Sequence, residues 1–310
     1  MAGGIGSRFW PMSTADFPKQ FHDILGTGES LIQQTFRRLS AISGKDKVLV
    51  VTHKKYEDLV KEQLPKVTSK QLLLEPAMRN TAPCILYSAF KIYNENPDGI
   101  MIIAPSDHWI DNEKEFLKNI QTSFDFCAKN DALMTLGIKP SSPNTGYGYI
   151  QHSNSENNIK KVLNFTEKPN LKTAIQFIEE GNYLWNAGIF IWSVKSILKA
   201  FETHLPTMHT LFSKGENSYN TSLENNFIEE NYSCSENISI DFGIMEKASD
   251  VFVLPVQFGW NDLGTWGSLY NKLNKDKNQN ATVGGAVIYR DANNNIVRTQ
   301  SGKRVVIQGL

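Results

Sequence analysis

Cysteine is scarce in this 310-residue chain: Cys84, Cys127 and Cys234 are the only three, and none has a paired spacing. Their number excludes a disulfide framework and a cysteine-built zinc site, and it suits a reducing compartment. An excess of charge is lacking too. Lysine plus arginine total 32 and aspartate plus glutamate 32, so no global field draws the chain to nucleic acid or to an anionic membrane, and neither partner is expected. An anionic ligand must therefore be met by a local site. No apolar run reaches the ~18 residues that span a bilayer, and the amino terminus shows no charged-then-apolar leader pattern, so a cytoplasmic protein is expected. Low-complexity tracts and internal repeats are absent. Two phosphate motifs are approached and missed. Gly4-Ile5-Gly6-Ser7-Arg8-Phe9 has phenylalanine where a dinucleotide fingerprint needs its third glycine, and no Gly-Lys-Ser/Thr closes a P-loop.

Short aliphatic runs are plentiful. KVLVV (47–51), QLLLEP (71–76), GIMIIAPSDH (99–108) and ALMTLGI (132–138) have the length and flanking turn residues of buried strands. Between them SLIQQTFRRLSAI, KYEDLVKEQL, TAPCILYSAFKIY and EKEFLKNIQTSFDFC repeat apolar residues every three to four positions, and Ser30 stands where an N-cap belongs. The alternation predicts an α/β fold with a mostly parallel sheet and helices on both faces. Ligands of such sheets sit beyond the carboxyl ends of the strands, which directs attention to the loops after each one. From about residue 145 the pattern is mixed, with strands expected at GYGYIQH, KVLNFTEKP, LWNAGIFIW and VFVLPV and helices at 194–203 and 219–230. After residue 276 short β-rich runs take over. The expected division is a domain over 1–276 and, over 277–310, the start of a small β-rich element that reads as incomplete. A glycine loop normally follows a buried strand, so a further strand upstream of Met1 is also an expectation.

That loop, AGGIGSRFWPMSTADFPKQF (2–21), has glycines at 3, 4 and 6 that let backbone N–H groups close around a phosphate chain. Arg8 adds a bidentate cation and Lys19 a point charge, where the chain can fold back at Pro18. Taken alone, the stretch is equally a glycine turn with solvated charges.

Other loops break that tie. AGGIGSRFWPMS…FPKQF, LLEPAMRNTAP (73–83), APSDHWI (104–110), TGYGYI (145–150), FTEKP (165–169), LWNAGIF (184–190), IDFGIMEK (240–247) and WNDLGTW (260–266) follow one another as in sugar-1-phosphate nucleotidyltransferases. The chain resembles that family over nearly its whole length, and PKQF resembles its mannose-1-phosphate guanylyltransferase branch. Ser7, Phe9 and Ala187 depart from the usual threonine, leucine and serine.

The resemblance implies a Rossmann-like mixed sheet of the nucleotide-diphospho-sugar transferase type. It also implies the reaction of GTP with mannose 1-phosphate to give GDP-mannose and diphosphate, by direct in-line attack with Mg²⁺. By the same likeness Asp107 and Asp262 hold the metal, and Arg8 and Lys19 hold the outgoing phosphates. Ala2, Gly3, Gly4, Gly6, Ser7, Glu75, Arg79 and Asn80 line the nucleotide, with guanine near EPAMRNTAP. Gly146, Tyr147, Gly148, Glu167, Lys168 and Asn186, with Asp262, meet the sugar phosphate, Lys168 at its phosphate. Glu246 and Lys247 are further cleft candidates, and self-association through the C-terminal β-element into a homodimer is expected.

Plainer duties stay open. Asp107 and Asn80 suit helix caps, His108 suits simple packing, Glu167 and Lys168 suit a solvated pair before Pro169, and Trp185, Trp260 and Trp266 suit a core. Two other functions stay open as well: the same chemistry on glucose 1-phosphate with UTP or dTTP, and a non-catalytic sensor of sugar nucleotides.

Overall fold

The computed structural model describes residues 1–4, 6 and 9–310, apart from the side chains of residues 300 and 301. It divides into two compact units. The larger comprises Met1–Gly3, Arg38–Pro105 and Ile110–Trp260; the smaller comprises Gly4–Arg37, Ser106–Trp109 and Asn261–Leu310. Along the chain the helices are α1 (Leu31–Ser43), α2 (Glu57–Gln63), α3 (Thr81–Glu95), α4 (Glu113–Cys127), α5 (Leu171–Glu180), α6 (Val194–His204), α7 (Pro206–Ser213), α8 (Glu224–Asn231) and α9 (Trp266–Lys272). Among the described residues no helix is long and apolar enough to cross a membrane.

In the larger unit β1 (Val50–His53) and β2 (Leu72–Glu75) form a parallel pair. A six-stranded sheet is built from β3 (Ile100–Ile103), β4 (Leu133–Ile138), β5 (Tyr149–His152), β6 (Lys160–Thr166), β7 (Tyr183–Ser193) and β8 (Val251–Val256), in the order β3-β7-β4-β8-β6-β5. Mixed character was expected and is found, but the balance between neighbours differs from a mostly parallel sheet. Strands β3, β4, β5 and β8 share a direction, while β6 and β7 run against them from positions in between, so β4–β8 is the parallel ladder and the others are antiparallel. For β7 the physical reason is that the strand is buried on both sides, and an apolar run covered on two faces carries no sign of its direction; β6 is largely exposed, and its alternation is equally silent on direction.

Alternation along each strand feeds two cores. Leu133, Phe190, Trp192, Val251 and Val253 face one cluster with α3, α6 and α7. Met134, Leu136, Ile189, Ile191, Leu254 and Val256 face the other, with Phe116, Ile120 and Cys127 of α4. Cys84 and Cys127 are accordingly buried thiols, whose pKa burial pushes up. The chain enters beside β1: Ala2 N donates to Val51 O at 2.7 Å, and Thr52 Oγ1 donates to Ala2 O at 2.9 Å.

The smaller unit has a thinner core of Phe9, Ile24, Leu31, Leu263 and Leu269, with Trp266 and Ile296 packed against it. Its β9 (Ala281–Arg290) and β10 (Ile296–Gln308) run parallel, registered from Ala281↔Ile296 to Arg290↔Gln308. Residues 291–295 are far too few for the crossover helix that usually joins parallel strands, so these strands follow each other as coils of a ribbon. Residue 276 lies inside the smaller unit, where the ribbon shares the unit's core through Ile296, and Arg298 Nη1 donates to Ile24 O at 2.9 Å.

Candidate active site

Three clusters gather the residues singled out above, one in the smaller unit and two in the larger. In the smaller unit Lys19 opens a short 3₁₀ turn, Lys19–Phe21, directly after Pro18, which is extended with its φ fixed at −67°. The lysine is only 4% exposed, and an ammonium that deep needs partners. Its Nζ donates to Asp107 Oδ2 at 2.9 Å and to the backbone oxygen of Asp262 at 2.5 Å, and it lies 5.9 Å from the centroid of the Phe9 ring. Gly6, at φ 57°, makes this possible: a Cβ there would stand 2.7 Å from Lys19 Cβ and 2.8 Å from Ser13 Oγ. A cavity of about 120 Å³ is lined by Gly6, Phe9, Lys19, Asp107, His108 and Asp262.

The electrostatics of Asp107 follow from these neighbours. Burial favours its neutral form, but the Lys19 ammonium, His108 and the hydrogen bond from Lys19 outweigh that and hold the carboxyl below its usual range. His108 Nε2 stands 3.8 Å from Asp107 Oδ1, an electrostatic distance rather than a hydrogen bond. Asp262 sits in a strained turn. Leu263 has φ 44°, and Asn261 Oδ1 accepts from Leu263 N at 2.7 Å while Asp262 Oδ1 accepts from Gly264 N at 3.0 Å. Strain of this sort persists only where surrounding contacts over-determine it. The donor set fits a hard divalent ion: two carboxylates face one small cavity, and Mg²⁺ typically takes one or two carboxylates, completing its shell with water and phosphate. Among the described residues no group of three or more His, Cys, Asp or Glu could hold a metal, which disfavours a site made wholly of protein ligands.

The second cluster belongs to the larger unit. Asn186 N donates to Gly148 O at 2.8 Å, and a Cβ on Gly148 would stand 2.4 Å from Glu167 Oε2, so only glycine permits that carboxylate its position. Lys168 precedes Pro169 yet has φ 47°, a second strained residue, and its Nζ donates to Glu167 Oε1 at 2.6 Å. Asn186 is held at both ends of its amide. Its Oδ1 accepts from Thr135 Oγ1 at 3.2 Å and Gly188 N at 3.0 Å, and its Nδ2 donates to Asp241 Oδ1 at 2.9 Å. Burial first, and then the Glu167 charge, push the Asp241 carboxyl up to about 6. Glu246 Oε1 accepts from Glu167 N at 3.2 Å. Tyr147 meets Trp185 and Trp260 edge-on, at 5.0 and 5.2 Å, and Trp185 is buried as a core residue. Gly146 closes the preceding turn, donating to Asn144 Oδ1 at 2.8 Å.

The third cluster surrounds Glu75 at the end of β2. Glu75 is buried, accepts from the Tyr232 hydroxyl and lies beside Gly3, and its pKa is raised by burial in spite of that bond. Arg79 Nη2 donates to Ser233 O at 2.5 Å, while its Nε is buried without a hydrogen-bond partner. Asn80, at φ 65°, caps α3 by accepting from Thr81 N at 3.1 Å, the plainer of the two duties foreseen for it.

The expected residues thus fall together as Gly6, Lys19, Asp107 and Asp262; as Gly148, Glu167, Lys168 and Asn186; and as Gly3 and Glu75. Gly4 is exposed, with φ 87°. Ser7 and Arg8 lie outside the described residues. Asp241 and Thr135 were not singled out from sequence. Asp241 lay inside a quoted block, IDFGIMEK, but nothing in its neighbours says which way that turn points its acid.

The chain is similar to known proteins along its whole length. A family described as nucleotidyl transferase matches residues 1–279. The alginate biosynthesis protein AlgA of Pseudomonas aeruginosa is 35% identical across 100% of this chain and 65% of its own length. A mannose-1-phosphate guanylyltransferase of Escherichia coli is 35% identical across 97% of this chain and 66% of its own. The chain therefore spans about two thirds of the length of these relatives. A crystal structure from Thermus thermophilus, described as mannose-1-phosphate geranyltransferase, superposes with a TM-score of 0.89 at 29% identity, covering 100% of this chain and 88% of that one.

Proposed function

The chain belongs to the nucleotidyl transferase family, and from that premise we propose that it transfers the guanylyl group of GTP to mannose 1-phosphate, giving GDP-mannose and diphosphate. A phosphate oxygen of the sugar attacks the α-phosphorus of GTP. One P–O bond forms, the bond to the α–β bridging oxygen breaks, and its electron pair leaves with diphosphate. Two anions must meet, so positioning and charge neutralisation dominate the catalytic task. Asp107 and Asp262 would hold Mg²⁺, which would supply Lewis acidity to the phosphoryl group under attack.

The chain's own groups do the rest. Lys19 is already desolvated and doubly held, so its ammonium meets phosphate oxygens without reorganisation; Arg8 shares this task by family likeness. The backbone of Ala2, Gly3, Gly4 and Gly6 approaches the nucleotide, and Glu75 accepts from the amine edge of guanine. Lys168 meets the phosphate of the sugar, and Glu167 and Asn186 meet its hydroxyls, rejecting an epimer by leaving a buried polar group unpaired. The observation that carries this reading is the convergence of Lys19, Asp107 and Asp262 on one cavity. Diphosphate release, measured with mannose 1-phosphate and each nucleoside triphosphate in turn, tests it. GTP is expected to be strongly preferred, and equal rates with UTP or dTTP would overturn the base assignment.

A further inference from the structure

Residues Asp241–Met245 form a single π turn, closed by the bond from Glu246 N to Asp241 O at 3.0 Å. In an α-helix, residues five apart point to different sides; a π turn, with its i to i+5 bond, stacks them. Here the stacked pair is Asp241 and Glu246, and both carboxylates are used on the second cluster. Asp241 Oδ1 receives Asn186 Nδ2, and Glu246 Oε1 receives the backbone N–H of Glu167. The two residues expected to read sugar hydroxyls are thus each held by one end of the same turn. Isolated π turns occur mostly inside α-helices and frequently at functional sites, and an ordinary turn would aim only one of the two acids at the cluster.

We infer that this π turn is a clamp that sets sugar selectivity, with Asp241 as the positioning residue for Asn186. The chemistry follows from the amide. Its oxygen is taken up by Thr135 and Gly188, and one of its N–H bonds by Asp241, so the remaining N–H is the group it presents. Asn186 then acts on the sugar as a donor to a hydroxyl oxygen, while Glu167 acts as an acceptor. A donor and an acceptor fixed side by side demand one arrangement of two hydroxyls, which is what separates epimers. Without Asp241 the amide can rotate and exchange its ends. The inference rests on the sugar-phosphate reading of this cluster.

The test is steady-state kinetics of diphosphate release on four proteins: wild type, Asp241→Ala, Asp241→Asn and the exchange Asn186→Asp/Asp241→Asn. Asp241→Ala is expected to raise KM for mannose 1-phosphate about tenfold, with KM for GTP within about twofold, and to narrow the preference for mannose over glucose 1-phosphate. Asp241→Asn can still accept through its amide oxygen and is expected to recover most of that loss. The exchange restores a hydrogen bond between the two positions but places an acceptor where the donor stood, so it is expected to melt like wild type and remain as poor as Asp241→Ala on the sugar. An unchanged sugar KM in Asp241→Ala, equal rises in both KM values, or full recovery in the exchange would overturn the clamp. Should Asp241→Ala fail to fold, the exchange decides alone. Wild-type protein inactive on mannose 1-phosphate would instead overturn the functional reading, and this inference with it.

Discussion

Asp107 in the smaller unit and Asp241 in the larger are the same acid with opposite fates. Burial works against ionisation in both, yet Asp107 is held below the usual range by Lys19 and His108, while Asp241, beside Glu167, rises to about 6. Burial raises both; at Asp241 it is the larger cause and the Glu167 charge adds to it, whereas at Asp107 the neighbouring cations reverse it. The supports differ as well. Asp107 belongs to a unit with a thin core and owes its place to one buried lysine; Asp241 belongs to the unit that holds the six-stranded sheet and is fixed by its own π turn and an amide. Anions call for charges kept ionised in fixed places, and neutral hydroxyls call for donors and acceptors of fixed orientation. On the proposed function Lys19 and Asp107 of the smaller unit suit the first task, and Asn186 and Glu167 of the larger suit the second.

Removing the charge of Asp107 breaks the comparison on its charged side and should have the largest effect. Asp107→Asn keeps the shape but leaves Lys19 a buried cation without its carboxylate and removes one of the two carboxylates proposed to hold the metal, so on the proposed function diphosphate release should fall at least about a hundredfold. Turnover near wild type would mean that the ion pair is merely structural. Lys19→Met should come next, slowing kcat/KM by roughly ten- to a hundredfold through the loss of the charge-assisted contact to phosphate proposed for it.

The smallest effect sharpens the contrast through stability. The folded state keeps a proton on Asp241 to about pH 6 against an ordinary 3.8, so its contribution is full below about pH 4 and is lost as pH rises toward 6. Asp107, with its lowered pKa, has the opposite sign: its contribution is present above about pH 4 and is lost in more acid solution. Urea unfolding from pH 4.5 to 7 should show Asp241→Asn without part of the wild-type decline across that window. Parallel curves for the two proteins would contradict the assignment.

Much of this was legible in the sequence, for identifiable reasons. The runs at 50–53, 72–75, 100–103 and 133–138 are short, aliphatic and flanked by turn residues, so strands could be read there, and α3 and α4 showed their periodicity, the first with Asn80 in place as its cap. The direction of β7 could not be read, since Ile189–Trp192 alternates between two buried faces whichever way it runs. Helix α5 carries the same signs, Asn170 as its cap and apolar residues at helical spacing, although it was not among the expected helices. Lys19, Asp107 and Asp262 were legible because each stands at a fixed place in a block of unusual residues. Asp241 was not, because its role depends on a π turn, and the five-residue bond that closes it leaves no mark in composition or period.

The central claim, that Asp107 and Asp262 share one divalent ion, is tested most directly by Mn²⁺ binding followed by electron paramagnetic resonance in the presence of GDP-mannose. The account predicts that Asp107→Asn and Asp262→Asn each weaken binding at least about tenfold and that the double variant is little worse than either, as expected for ligands of a single site. Wild-type affinity in either single variant would contradict it.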